Sequence, residues 1–226
     1  MFKKLLLTSA LLATFATAHA QSSQNFGVTG TVSPAPCNVT LTGGTVNLGT
    51  LSQATVKAYS VAGTTNNFYS VPAANVPISI TCGAATKVEV SFVDNKSGKN
   101  LPFDAGDAIR FGVTDGAAGT AAIGAYQINF VTTTIDSVAT AVYLSAPNGT
   151  TAWSNKIAST TTVPNSYVAP GHATGFAKVA TATVPDSITT LAGNLTFQAY
   201  LGKAYIDGAT TAVTPTGSGT LTLAYL

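Results

Sequence analysis

Short segments in which apolar and polar residues alternate run through this chain and limit the folds open to it. Every second residue of segment 76–82 (VPISITC) is apolar, and Val88, Val90 and Phe92 repeat the pattern in KVEVSFVDN. Successive side chains of a β-strand point to opposite faces, so this spacing directs one apolar row toward a core. No helical spacing is sustained over three turns. The pattern therefore predicts an all-β chain built as an antiparallel β-sandwich.

Similar but shorter signals occur elsewhere in the chain. A hairpin is predicted from residues 38–41 and 45–48, around the Gly43-Gly44 pair. Further strands are predicted at residues 109–113, 126–130, 141–144 and 193–201. Residues 145–190 are rich in Ser, Thr, Asn, Pro and Gly, which predicts long loops with weak strands. The chain ends in another alternating segment that contains Leu221, Leu223, Tyr225 and the last residue, Leu226.

The first twenty residues have the pattern of an export signal. Lys3 and Lys4 precede an apolar stretch at residues 5–15, and Ala18-His19-Ala20 is a small-x-small cleavage site. The apolar stretch is shorter than the ~20 residues that span a bilayer. We therefore expect a signal peptide at residues 1–20 and export from the cytoplasm by the Sec route.

Charge is scarce in the chain and balanced in the expected mature part. Only 8% of the residues are charged, against ~25% in an ordinary soluble domain. The chain has 10 basic and 8 acidic residues, so loss of Lys3 and Lys4 leaves a net charge of zero. No basic stripe is present, and no nucleic-acid partner is expected. A neutral surface of this kind favours self-association.

Two cysteines, Cys37 and Cys82, are the only ones in the chain. In an exported protein, two cysteines most simply form one disulfide. Such a bond would close a long loop and would stabilise the fold by roughly 4 kcal/mol in the chain-entropy model. We therefore expect a Cys37–Cys82 disulfide.

Residues suited to catalysis or metal binding are few. His172 is the only histidine of the expected mature chain, which leaves too few ligands for a metal site. A Ser/His/Asp arrangement would need His172, which we interpret as a loop residue because a lone histidine is weak support for a triad. Trp153 could stack on a sugar, but packing is the commoner role of such a ring. We expect no enzyme activity, no cofactor and no metal.

The segment NFGVTGTVSPAPC, residues 25–37, alternates like a strand although it begins the expected mature chain. One row contains Phe26, Val28, Gly30 and Val32; the other contains Gly27, Thr29, Thr31 and Ser33. Chain termini usually fray. The apolar row could pair within its own domain as a first strand, or it could be built for the core of another molecule.

Both ends of the chain resemble those of chaperone–usher pilus subunits. The apolar-x-apolar-x-Gly-x-apolar spacing before Pro36-Cys37 is similar to that of type 1 and P pilins, as is the ending GTLTLAYL. The mature chain also resembles an uncharacterised fimbrial-type family, the domain of unknown function numbered 1120, in four stretches. These stretches are GTVSPAPC, ITCGAATKVEVSFVDNKSG, IGAYQINF and YLSAPNGTTAW.

The resemblance implies an incomplete immunoglobulin-like sandwich at residues 34–226, with a donor-strand extension at residues 21–33. Such a sandwich lacks its last strand. A periplasmic pilus chaperone lends one first, and at the outer-membrane usher the N-terminal strand of a neighbouring pilin subunit replaces it. The resemblance assigns the donor strand to Phe26, Val28, Gly30 and Val32. It assigns the chaperone contact to Leu221, Leu223, Tyr225 and Leu226.

The expected function is therefore that of a structural subunit of a surface fimbria. Val213 stands where pilins often have a glycine, and the chain is longer than a typical major pilin. These departures leave a minor or tip subunit open. The alternative is a secreted or surface-attached adhesin that does not polymerise and binds a host glycan or protein through residues 145–190.

Overall fold

The computed structural model describes residues 36–44, 46, 48–62, 67–102, 109–140, 142–158 and 167–226, which fall within the unit Pro34–Leu226. Its strands are Cys37–Leu41 (β1), Val61–Ala62 (β2), Phe68–Ser70 (β3), Ala74–Asp94 (β4), Phe111–Asp115 (β5), Ala122–Ile135 (β6), Val138–Ala139 (β7), Val142–Pro147 (β8), Ser154–Ala158 (β9), His172–Ala177 (β10), Ser187–Gly202 (β11), Pro215–Thr216 (β12) and Gly219–Tyr225 (β13). Two short helices are Gln53–Lys57 (α1) and Lys203–Gly208 (α2).

Strand β4 belongs to both layers of the structure. Its first half pairs with β11 and β1 in a layer of order β12–β5–β6–β11–β4. Its second half pairs with β10 and β13 in a layer of order β4–β10–β8–β9. The pairings between these strands are antiparallel, and the sheet formed by the described residues is open. The predicted all-β antiparallel sandwich is thus confirmed.

The alternation in the sequence explains how β4 serves both layers. Its buried residues all stand at even-numbered positions along the 21 residues of the strand. They are Val76, Ile78, Ile80, Cys82, Val88, Val90 and Phe92, each no more than 7% exposed. The predicted inward rows are correct, but the two segments form one continuous strand. Between them, Gly83, Ala84 and Ala85 are exposed, at the point where the strand passes from one layer to the other.

Aromatic side chains from both layers meet in the core. The ring of Phe130 on β6 lies 5.1 Å from that of Phe176 on β10 and 5.8 Å from that of Tyr143 on β8. Phe92 on β4 approaches Phe130 edge-on at 6.2 Å. Because β6 is not a neighbour of β8 or β10 in the sheet, these contacts cross between the layers.

Two sequence predictions are wrong. Val46 and Leu48, the two described residues of the predicted second hairpin arm, are not in a strand; both side chains instead line a groove described below. His172 was interpreted as a loop residue, yet it begins β10, a central strand between β4 and β8 with five of its residues buried. The remaining predicted strands correspond to β1, β5, β6, β8 and β11, with shifted ends.

Several sequence predictions lie outside the described residues. These are the signal peptide at 1–20 and the donor-strand extension at 21–33, with Phe26, Val28, Gly30 and Val32. In the described part of the chain, no helix is long and apolar enough to cross a membrane.

Candidate functional site

Strands β1 and β13 both lie along β4 and form the walls of the candidate site. At one end Cys37 of β1 is opposite Cys82, and Tyr225 of β13 is opposite Val88. At the other end, Leu41 of β1 is opposite Ile78 and Gly219 of β13 is opposite Asp94. These two partners are further apart along β4 than Cys82 and Val88 are. Among the described residues, β1 and β13 each pair with β4 alone. The two strands therefore meet near the middle of β4 and diverge from there.

Covalent and polar contacts hold the narrow end together. Cys37 and Cys82 form the predicted disulfide. The backbone N–H of Cys37 donates to the hydroxyl of Tyr225 over 2.8 Å, and the N–H of Leu226 donates to the carbonyl of Lys87 over 3.1 Å. The start of β1 and the end of the chain are thereby fixed to the same part of β4.

The wide end opens onto an apolar groove of about 300 Å³. Core side chains form its floor, including Phe92, Val113 and Ile128, which are at most 3% exposed. Its walls are the segment after β1, the start of β13 and the segment before it: Leu41, Gly44, Val46, Leu48, Pro215, Gly217, Ser218, Gly219 and Leu221. The lining residues that the structure describes carry no charge. Such a groove beside a strand edge suits an extended apolar segment.

Tyr126 on β6 provides a polar group in this apolar lining. Its ring stacks on Phe111 at 5.0 Å and lies 6.4 Å from the ring of Phe197. The residue is 9% exposed, and its hydroxyl makes no hydrogen bond to any residue that the structure describes. Burial, and after it the charge of Asp94, raise the pKa of Tyr126 above its usual range. The hydroxyl therefore stays protonated and can donate a hydrogen bond.

Two glycines leave room for the Tyr126 ring at the rim of the groove. A Cβ atom at Gly217 would lie 2.5 Å from Cε1 of Tyr126, closer than such contacts allow. At Gly219 it would lie 3.1 Å from the Tyr126 hydroxyl oxygen. These positions let the backbone before β13 pass directly over the tyrosine. Val213, where pilins often have a glycine, is buried instead and exchanges two backbone hydrogen bonds with Leu51.

The predicted C-terminal strand is present as β13, ending at Tyr225. Leu221 and Leu223 are half-buried and pack against the main core, and Leu221 also lines the groove. Tyr225 and Leu226 are 43% and 47% exposed. The alternation predicted for Leu221 and Leu223 is therefore correct, while Tyr225 ends at the surface.

The residues considered for chemistry lie away from the groove. His172 begins β10, and its Nδ1 lies 3.2 Å from Oγ of Ser145 on β8. Trp153 packs against the small cluster of Leu144 and Ala177. Within the described ranges, no group of three or more His, Cys, Asp or Glu side chains could hold a metal ion.

Sequence reasoning missed the floor and one wall of the groove. Tyr126 and Phe197 were recognised only as strand residues, and Val46 and Leu48 as the arm of a hairpin. The glycines at 217 and 219 were the available signal, because they flank a short segment that leads into the last strand. Only the three-dimensional fold shows that they lie over Tyr126.

Comparison with known families adds one result. Residues 26–109 match the family model described as "Protein of unknown function (DUF1120)". A DUF1120 domain lies at residues 26–109. Curated proteins give no match to the chain.

The DUF1120 match contains the predicted donor-strand residues from Phe26 to Val32, strands β1 and β4, and the groove-wall residues Leu41, Gly44, Val46 and Leu48. Both cysteines lie within it. Of the four stretches that suggested the family, GTVSPAPC and ITCGAATKVEVSFVDNKSG are inside the match, while IGAYQINF and YLSAPNGTTAW lie beyond it. The match is therefore shorter than the nearly full-length resemblance predicted.

Proposed function

We propose that this chain is a structural subunit of a bacterial surface fimbria and that its groove accepts the N-terminal strand of a neighbouring subunit. The observation that carries the proposal is the apolar groove between β1 and β13, which has core side chains as its floor. An open strand edge beside an apolar groove is an aggregation hazard unless a partner covers it. A strand added along β13 would bring backbone hydrogen bonds and an apolar row at once.

The N-terminal segment matches the groove in charge and length. Residues 21–36 contain no charged side chain, as do the described residues that line the groove. The stretch 26–32 has as many residues as β13, which has 7. Burial of Phe26, Val28 and Val32 would contribute about 1.5–3 kcal/mol each. These properties favour residues 21–33 as the occupant.

Strand direction favours a neighbouring copy as the source of that segment. Strand β13 runs toward the narrow end of the groove, where Cys37 begins β1. A segment that turned back from Cys37 into its own groove would run parallel to β13. A segment from another copy can run antiparallel, which is the slightly more stable pairing. Such head-to-tail contacts do not close, so they build a filament.

Delivery of the subunit completes the proposal. A periplasmic chaperone would hold the last strand through Leu221, Leu223, Tyr225 and Leu226 before the outer-membrane usher exchanges it for the next subunit. Tyr225 and Leu226 are 43% and 47% exposed, which leaves part of each side chain accessible for that contact. The chain would then reside at the cell surface and contribute to adhesion as part of the fibre, without enzyme activity. This part of the proposal rests on the resemblance to pilus subunits.

Deletion of residues 21–33 tests the proposed function. Full-length and shortened chains would be produced in the periplasm with the same chaperone and compared for assembly and melting temperature. We expect the deletion to abolish assembly and to change the melting temperature of the chaperone-bound subunit by less than about 3 °C, because the strand belongs to another copy's core. A loss of several kcal/mol would instead place the strand in its own domain, since a whole domain has only ~5–15 kcal/mol.

A matched pair of substitutions separates the groove from general effects. Gly30→Arg adds a charge to the row that would enter the groove, and Thr31→Arg adds it to the opposite row. Burying an unpaired charge costs several kcal/mol, so only Gly30→Arg should block assembly. Equal effects would contradict the assignment of the rows. A stable monomer that binds a glycan and never assembles would favour the adhesin alternative.

A further inference from the structure

We propose that Tyr126 is the residue that sets the register of the donated strand, with its hydroxyl hydrogen-bonded to a backbone carbonyl beside Gly30 of the neighbouring copy. This inference rests on the proposed function and assigns one residue of the groove a specific role. It arises from a polar group that the groove holds without a partner.

The Tyr126 side chain is held in place where it lines the groove. The residue is 9% exposed, lines the groove, and its ring is held between Phe111 and Phe197. Its hydroxyl has no hydrogen-bond partner among the residues described. The hydroxyl retains contact with solvent in the open groove. An occupant that covers it costs free energy unless it supplies a hydrogen-bond partner. The occupant of the groove therefore gains most where it presents a hydrogen-bond acceptor to this hydroxyl.

The occupant's backbone is the nearest source of acceptors. A strand laid along β13 has carbonyl groups along its edge, with about 3.3 Å between residues. The Tyr126 hydroxyl oxygen lies close to Gly219, the first residue of β13, so it is at the level of the rim where such a backbone would pass. A side chain directed inward at that point would meet the tyrosine ring. Only a glycine allows the backbone to approach closely.

The sequence of the N-terminal segment then selects the register. Its inward row contains Phe26, Val28, Gly30 and Val32, so Gly30 is the only member without a side chain. Placing Gly30 over Tyr126 sets Val28 and Val32 on either side of the tyrosine, against the apolar floor. A shift by two residues would press Val28 or Val32 onto the hydroxyl and would leave it without an acceptor.

The test uses the full chain in complex with its chaperone, and a fluorescent peptide of residues 21–36 that must replace the chaperone strand is the probe. Affinity is measured for two proteins, wild type and Tyr126→Phe. Each is tested with two peptides, one of wild-type sequence and one with Gly30→Ala. Tyr126→Phe should weaken the wild-type peptide about three- to tenfold, the effect of one net hydrogen bond. The Gly30→Ala peptide should bind the wild-type protein at least tenfold more weakly than the wild-type peptide does. On the Tyr126→Phe protein the loss should be a clearly smaller factor, because removal of the hydroxyl frees space.

The coupling between the two changes separates register from simple structural damage. A variant that merely loosens the groove would weaken both peptides by the same factor and would show no coupling. Matched controls are Gly27→Ala in the outward row of the peptide and Tyr69→Phe, a buried tyrosine that does not line the groove and whose hydroxyl donates to Asp207. Each should change the affinity less than twofold.

Each outcome decides a separate point. Binding with the predicted coupling supports the register. Binding that is insensitive to Tyr126→Phe, or an equal Gly30→Ala factor on both proteins, overturns the register and leaves the proposed function standing. Failure of the peptide to replace the chaperone strand on the chaperone-bound wild-type chain overturns the proposed function itself. If the Tyr126→Phe protein fails to fold, the two peptide variants still test the inference on the wild-type protein. Equal losses of affinity for the Gly30→Ala and Gly27→Ala peptides would overturn it.

Discussion

The backbone N–H of Cys37 donates a 2.8 Å hydrogen bond to the hydroxyl of Tyr225, the penultimate residue of the chain. This bond joins the first residue of β1 to the last residue of β13. It lies beside the Cys37–Cys82 disulfide, at the narrow end of the groove. The position at which the N-terminal segment leaves the domain is thus tied to the strand that would receive a partner.

Replacing Tyr225 with Phe should loosen the narrow end without removing the strand. The lost hydrogen bond is worth about 0.5–1.5 kcal/mol, and the partly exposed position places the effect at the lower end. Urea unfolding measures the loss, and amide exchange at Cys37 should become faster. An unchanged exchange rate at Cys37 would show that the bond does not order the start of β1.

Loss of the disulfide should cost far more. The two cysteines are 45 positions apart, for which the chain-entropy model gives about 4 kcal/mol. The pair Cys37→Ser and Cys82→Ser should lower the midpoint of urea unfolding accordingly. Reductant should shift wild type in the same way and leave the double variant unchanged, because the chain has no other cysteine. A reductant-insensitive wild type would contradict the prediction.

Asp136 should make stability depend on acid pH. Its carboxylate accepts from Nζ of Lys178 over 2.8 Å and from the N–H groups of Thr189 and Thr190. Hydrogen bonds, from Lys178 first and then from Thr189, hold the pKa of Asp136 well below its usual 3.8. Because the folded-state pKa is lowered, the contribution is present above pH 3.8 and is lost as the pH falls toward the folded-state value.

The variant Asp136→Asn isolates this charge. Residue 136 has a φ of 48°, which asparagine tolerates, so the turn after β6 is retained. We expect a loss of about 1–2 kcal/mol at pH 7. The difference from wild type should shrink between pH 5 and pH 2 in urea unfolding. A difference that stays constant over this range would show that the charge is not responsible.

Gly217→Ala should close the groove by displacing Tyr126. The new Cβ would lie 2.5 Å from Cε1 of the tyrosine, so the ring or the backbone must move. Overpacking of this kind costs about 1–3 kcal/mol, and binding of the 21–36 peptide should fall with it. Gly208→Ala is the matched control, since its Cβ would meet nothing within 4 Å. Equal effects of the two variants on peptide binding would contradict the assignment of the groove.

The sequence predicted the parts of the fold that local alternation encodes. The inward row of β4 was readable because apolar residues stand at every second position in 76–82 and again in 88–92. Strand β10 was missed for the opposite reason. Five residues of HATGFA are buried, so no alternation remains, and its small residues resemble those of a loop.

The groove could not be read from the sequence because it depends on pairing between distant segments. The last strand pairs with the second half of β4, while β1 pairs with the first half. Alternation predicts that Leu221 and Leu223 share a face, but it does not predict which strand lies beside them. The role of Tyr126 likewise follows from its position under Gly217 and Gly219, far along the chain.

Site-specific crosslinking between copies tests the central proposal most directly. A photoreactive benzoyl-phenylalanine would replace Phe26, and chains of normal and ¹⁵N-labelled mass would be mixed before assembly. We expect crosslinks from position 26 to peptides of the groove wall, residues 41–48 or 215–221, and the linked peptides should combine both isotopic masses. Crosslinks confined to a single mass would show that the segment fills its own groove, and crosslinks away from these walls would show that the groove is not its binding site.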